Sequence, residues 1–355
     1  MSVCETDVRM SKDTIRERIV EQGHVTGDCL ITTEQLVSKI GLGVCPCHTC
    51  DEDRRICKGK PRRAPTEQSI KDTSFAPPTV GQPNVYYCAG VDPAPALGKN
   101  SDDGAIAIAK WWPRSRQINK DYFSENLTDW WFGFVGACRL RGASATTWSG
   151  KIHELHSRYN FSIVTMDPGG GGNFIMGELR SKRQKVLGND KDCRPICTLN
   201  DTIPDGWPIL RMFKRGDYGV ESLWNKLTGD DFLADHMHVT FLDAVETGQI
   251  VFPVPWNDRS ADERARIEKE WSPQDCWAIK DISLGMKQLT KIRVIVNDVG
   301  EWVTTKRGAK QFEAVGKKDV AYAMIYAYIG FKMWIRSNTA GMSMGGDLAY
   351  AGEML

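Results

Sequence analysis

The sequence predicts an α/β protein: a mixed β-sheet flanked by helices and preceded by a small cysteine-rich segment. Two patterns predict it. From Asn84 onward, stretches of β character follow one another as a meander, after which helical periodicity alternates with short β runs. Before that point, residues 1–80 hold a cysteine cluster, a basic run and "FAPPTVGQPN", a Pro-rich connection that cannot continue a helix or a central strand. A boundary therefore falls near Gly81. A chain of 355 residues can build one large unit and one small one.

Each element has a local reason. "SKDTIRERIVEQ" and "TTEQLVSKIG" read as short N-terminal helices, the second capped by Thr32 or Thr33. "VYYCAGVD" reads as a buried strand ending on Asp92, and "GAIAIAKWW" as a second strand after the turn-rich "PAPALGKNSDD". "QINKDYFSENL" completes the predicted meander. "DWWFGFVGACRL" and "SGKIHELHSRY" carry apolar residues at helical spacing. "SIVTMD" is a strand closed by an acid and four glycines, and "NFIMGELRSKRQ" a helix behind them. Residues 188–230 read as irregular. "HMHVTFLDAVETG" and "DISLGMKQLTKI" are predicted helices and "QIVFPVP" a strand. "RVIVND" with "EWVTTK" is a hairpin, and "KKDVAYAMIYAYIGFKMWI" the closing helix. The tail of residues 337–355, rich in Gly, Met and Ser, is expected to be mobile. A three-strand meander followed by alternating helices and strands is also the ribonuclease H arrangement, expected over residues 81–336.

Open α/β sheets place their sites beyond strand ends. Asp92 and Asp167 each end a predicted strand, and Asp319 opens the last helix. Carboxylates crowded together repel unless cations neutralise them, and hard oxygen donors suit Mg²⁺ or Mn²⁺. Two such ions, about 3.5–4 Å apart, suit phosphodiester hydrolysis. The competing reading makes Asp167 a helix cap before a glycine turn. A phosphate cradle is weaker, because "DPGGGGNFIM" supplies only part of a dinucleotide fingerprint. "PAPALGKN" lacks both the first glycine and the hydroxyl of a P-loop, so no ATP hydrolysis is expected.

"YYCAGVDPAPALGKNSDDGAIAIAKWW", "IVTMDPGGGGNFIMGELR", "HVTFLDAVETGQIVFP", "ISLGMKQLTKIRVIV" and "GKKDVAYAMIYAYI" stand in the order seen in one family. Over residues 84–335 the chain resembles the nuclease domain of tailed-phage large terminases, which cut and package viral DNA. The resemblance implies a DNA endonuclease with Asp92, Asp167 and Asp319 as metal ligands. Asp103 corresponds to an auxiliary acid, with Asp102 an equal candidate by register. It also implies double-stranded DNA as substrate, and a small terminase, a portal and a separate packaging ATPase as partners. The host cytoplasm is the expected compartment. The chain departs from the family at the last helix, where Lys317 and Lys318 stand in place of a His-Asp pair. Alternatives are a junction resolvase or transposase on the same fold, and a packaging protein that binds DNA without cutting it.

The net charge of +1 excludes a global polyelectrolyte attraction, so a DNA-binding face must be a local patch. The N-terminus lacks the apolar core of a signal peptide, and no stretch reaches membrane-spanning length. Eleven cysteines in such a chain read as thiols and metal ligands. Cys45, Cys47, Cys50 and Cys57 are spaced closely enough for a structural Zn²⁺, with reduced thiols as the competing reading. The zinc reading predicts one zinc in purified protein and its loss in Cys50→Ser. Equal metal contents in both samples would rule it out. The pairs His153/His156 and His236/His238 read as core or surface polarity before metal ligation. Trp111–Trp112 and Trp130–Trp131 read as core packing before base stacking.

Overall fold

The computed structural model describes residues 25–29, 31, 85–94, 103–113, 127–169, 171–181, 184–185, 192–198, 201–212, 237–270, 272–296, 301, 312–314 and 316–343. Strands β2 (Tyr86–Asp92), β3 (Asp103–Pro113) and β4 (Trp130–Arg141) form an antiparallel meander. After helix α1 (Ala145–Tyr159), strand β5 (Ile163–Met166) returns parallel to β2, and β9 (Trp207–Met212) lies parallel beyond it. With β8 (Ile196–Thr198) and β10 (Ile250–Val251) at the edges, the sheet order is β10-β4-β3-β2-β5-β9-β8. The inner five strands, taken in chain order, run 3-2-1-4-5 with only the second antiparallel to the rest. That is a ribonuclease H-like mixed sheet, as predicted.

Two predictions need correction here. "DWWFGFVGACRL" is not a helix but the third meander strand. Trp130 to Ala137 are buried without a break, so apolar spacing in this run reflects a strand covered on both faces. Gly133 and Gly136 within it weaken a helix further. "QINKDYFSENL", predicted in that role, lies almost wholly outside the described residues. The stretch 188–230 is not irregular throughout: β8 and β9 extend the sheet, and a short hairpin pairs β6 (Gln184–Lys185) with β7 (Asp192–Cys193). Their shortness hid them, since two to six residues carry little period.

The helices pack in two layers. On one face α1 and α2 (Gly172–Ser181) cover Tyr87, Ala89, Val91, Ile106 and Ile108. On the other face lie α3 (Met237–Glu246), α5 (Pro273–Leu289) and α6 (Asp319–Ser343), over Cys88, Ala105, Ala107, Ala109 and Trp111. Between α3 and α5, the charged α4 (Ala261–Glu270) was not foreseen. Helix α6 runs on to Ser343, so the tail expected to be mobile from Ser337 begins inside it. No described helix is long and apolar enough to cross a membrane.

The domain boundary near Gly81 is not a clean division. Strand β1 (Val25–Cys29) pairs with β11 (Ile292–Val296), which also pairs with β12 (Phe312–Ala314). Ile31 is fully buried in the main core. Of "EWVTTK", the expected hairpin partner of "RVIVND", all but Glu301 lies outside the described residues. The two N-terminal helices, and Cys45, Cys47, Cys50 and Cys57, lie outside the described residues.

One glycine sets the depth of the layer. A Cβ on Gly90 would stand 2.0 Å from the Ala323 carbonyl oxygen and 2.2 Å from the Ala327 nitrogen. Only a bare backbone lets α6 lie this close to β2. Gly90→Ala must push helix from sheet, and a destabilisation of about 3 kcal/mol is expected from such overpacking, read in urea unfolding.

Candidate active site at the strand ends

The two-residue period of the strands decides which way the acids face. In β2, Cys88 and Gly90 meet α6, so Asp92 continues the same side. In β5, Ile163 belongs to the α6-side core and Thr165 lies under Gly330, which puts Asp167 on that side as well. In β3, Ala105 and Ala107 face α6, and Asp103 shares their parity. Three acids from three neighbouring strands thus lie on one face and at one end of the sheet.

The fourth comes from the helix. Cys88 touches the Ala327 carbonyl and the Tyr86 ring meets Trp334, so α6 runs antiparallel to β2. Asp319 lies one turn before Ala323, about 6 Å along the helix. Asp92 lies two residues beyond Gly90, about 6.6 Å along the strand. Both therefore reach the same level. The Gln288 side-chain oxygen accepts from the backbone N–H groups of Val320 and Ala321 at 3.0 and 3.1 Å, so capping of this helix does not fall to Asp319 alone. Asp319 is nevertheless buried, only 5% exposed.

Asp92 and Asp167 stand side by side. The Asp167 backbone N–H donates to the Val91 carbonyl at 3.3 Å, continuing the parallel β2–β5 register past the strand end. The Tyr326 hydroxyl donates to Asp167 Oδ2 at 3.1 Å. Burial, then the charges of Asp92 and Asp167, push the Tyr326 phenol well above its usual range. Both carboxylates therefore bear on one hydroxyl, which stays a donor. Tyr326 escaped the sequence reading. The available signal was its place seven residues after Asp319, two turns along one helix face.

The other oxygen of Asp167 bears on its competing reading. Oδ1 accepts from the Gly169 N–H at 2.7 Å, so the carboxylate braces the first turn of the glycine loop rather than the start of α2 at Gly172. Some of the glycines are required by the loop itself. Gly171 has φ of 98°, and a Cβ on Gly172 would stand 2.0 Å from the Asp167 carbonyl oxygen.

Asp103 is held differently. Its carboxylate meets Lys317 Nζ at 3.0 Å, Arg141 Nε at 3.5 Å and Arg139 Nη1 at 3.7 Å. Arg139 is fixed in turn by Asp281, which accepts its Nε–H at 2.7 Å and its backbone N–H at 3.1 Å. Asp102 lies outside the described residues. Among the described residues, no three His, Cys, Asp or Glu side chains are already gathered tightly enough to grip a metal ion. In kind, the strand-end donors fit a hard divalent cation: they are carboxylates and a phenol, with two negative charges converging on one point.

The histidines and tryptophans do not join the site. His153 is fully buried and His156 and His238 nearly so, while Trp111, Trp130 and Trp131 belong to the core. His236 lies outside the described residues.

Fold and site together define an α/β protein with a ribonuclease H-like sheet and an acidic strand-end site. No protein-family model matches the chain, and no curated protein matches it. Among solved structures it is similar to the large terminase nuclease from thermophilic phage G20c, at 15% identity and a TM-score of 0.34, over 72% of this chain and 85% of that one. The magnesium-bound form of that nuclease gives 15% and 0.35. The nuclease domain of the large terminase subunit gp2 of bacterial virus Sf6 gives 10% and 0.33, over 84% of this chain and 96% of that one. These overlaps are loose. The fold assignment rests on strand order, and the site on its own residues.

Proposed function

We propose that the protein is a metal-dependent DNA endonuclease, with Asp92, Asp167 and Asp319 as ligands of Mg²⁺ or Mn²⁺. The observation that supports this reading is that acids from β2, β5 and α6 share one end and one face of the sheet, with Asp92 and Asp167 both bearing on Tyr326. Like charges brought to one place repel unless a cation neutralises them. A divalent ion held there supplies charge stabilisation and an activated water to phosphodiester hydrolysis. The chain's own residues do the rest. Asp92 and Asp167 are fixed by parallel pairing, and Tyr326 orients Oδ2 of Asp167. The glycine loop keeps the approach to Asp167 free of side chains.

Double-stranded DNA as substrate, and phage genome packaging with a separate motor, small terminase and portal as the setting, come from the sequence resemblance. The test is plasmid nicking by the purified chain with Mn²⁺, compared with Mn²⁺ removed by chelation. Nicking that appears only with the ion supports the reading. Protein that binds plasmid but never nicks it, whatever the divalent ion, would leave a DNA-binding packaging protein instead.

A further inference from the structure

A basic cluster lies on the same face of the sheet, and strand register places it beside Asp92. Asp92 pairs with Ala105 on β3, and Ala105 pairs with Arg139 on β4, so Asp92 and Arg139 stand in one row across the sheet. Two strand spacings put their backbones about 10 Å apart. Asp103 and Arg141 are the next partners outward on that face, at the very ends of β3 and β4. Lys317 joins them, and three cations meet the Asp103 carboxylate. They are not equally committed. Arg139 is tied to Asp281 by two hydrogen bonds. The Arg141 side chain is 72% exposed, and its Nε stands 3.5 Å from Asp103 Oδ1, a buried oxygen with no hydrogen bond. Because Nε is the atom nearest Asp103, the two terminal amino groups of the guanidinium lie beyond that contact. Lys317 Nζ donates to the other oxygen, Oδ2, at 3.0 Å, and an ammonium has two further N–H donors.

A phosphodiester spreads one negative charge over two oxygens, as a carboxylate does, and a guanidinium fork suits it. We propose that Arg141 and Lys317, held side by side by Asp103, grip a backbone phosphate of the DNA that neighbours the one being cut, and so anchor the strand beside Asp92 and Asp167. This rests on the nuclease reading and deepens it, because it names where the strand is held. An exposed ion cluster without a ligand contributes little to stability. Among the described residues three cations share two carboxylates here, Asp103 and Asp281, which leaves one positive charge for an anion from solution.

The readout is the salt dependence of duplex binding, followed by fluorescence anisotropy with Mn²⁺ withheld so that nothing is cut. Arg141→Gln, which keeps an amide donor and removes the charge, should lower the slope of log affinity against log salt by about one, and Lys317→Met should do the same. Loss of one charge-assisted contact should weaken binding roughly tenfold. With Mn²⁺ present, the protein concentration for half-maximal nicking should rise in step. The rate at saturation should change much less, since neither group meets the cut phosphate. Arg141→Lys should restore the slope but not all of the affinity, because an ammonium lacks the fork. Lys269→Met, which removes an exposed cation from α4, is the control and should leave both unchanged. Circular dichroism confirms that each variant is folded. An unchanged slope in Arg141→Gln, or a fall no larger than that in Lys269→Met, would overturn the proposal, while nicking by the parent keeps the nuclease reading. A parent protein that never nicks, whatever the divalent ion, would end that reading and the proposal with it.

Discussion

Asp167→Asn is expected to yield a folded protein that binds DNA and no longer nicks it in the presence of Mn²⁺. Asparagine keeps the shape of the side chain. Its oxygen can still accept from the Gly169 N–H, the 2.7 Å bond that braces the glycine loop. What disappears is the charge, and with it the acceptor of the Tyr326 O–H, which must turn to accept from the new amide NH₂ group. If Asp167 only braced its loop, the substitution would cost at most about 1 kcal/mol of stability and leave turnover nearly intact. If it holds a cation, nicking should drop by orders of magnitude. Stability should change far less than nicking, because the substitution also removes one of the two like charges, Asp92 and Asp167, that bear on the buried Tyr326. The pairing of lost nicking with a nearly unchanged melting temperature is the distinctive result. Asp92→Asn should behave in the same way. A variant that nicks at near the parent rate removes the metal assignment and leaves the bracing role.

Much of this site was legible because it depends on short-range periodicity. "VYYCAGVD" and "SIVTMD" each show a strand and its terminal acid, and strand ends are where open sheets carry chemistry. Asp319 was legible as the acid opening a strongly helical run. The sequence does not display what joins distant segments. Lys317 and Asp103 are 214 positions apart, and only the packing of α6 across β3 brings them together. The same holds for Arg139 and Asp281, 142 positions apart. Placing "DWWFGFVGACRL" on a helix concealed Arg139 altogether, since a residue near the end of a strand faces a different neighbour from one on a helix. Gly90 illustrates the same limit. In the sequence it is a glycine weakening a strand, and only the helix 2.0 Å from its missing Cβ explains it.

The folded state should lose stability steeply as pH falls from about 6.5 to 4, and the pair His153 and His156 on α1 is the expected cause. Burial lowers the His153 imidazole from its ordinary 6.5 to about 4. Burial, with a smaller contribution from the charge of His153, lowers His156 to about 4 as well. Neither ring nitrogen of His153 has a hydrogen-bond partner. His156 accepts the Phe161 N–H on Nδ1 at 3.0 Å and packs against Trp207, which ties α1 to β9. Both rings are thus held neutral. In the unfolded chain they take up protons near pH 6.5; in the folded one they resist until about 4. Between those values the unfolded state binds more protons, so their contribution to stability is complete above pH 6.5 and shrinks on acidification. Each group adds a slope of up to about 1.4 kcal/mol per pH unit in that window. Urea midpoints measured from pH 7 to 5, above the range where ordinary carboxylates titrate, isolate the histidines. His153→Leu should flatten the slope, because it removes one titrating group and the charge that helps to lower His156, and should not cost stability at pH 7, where an unpartnered imidazole gives way to an apolar side chain. A parent protein whose midpoint is flat across this range, or a His153→Leu protein that keeps the full slope, would show that these rings do not resist protonation in the folded state.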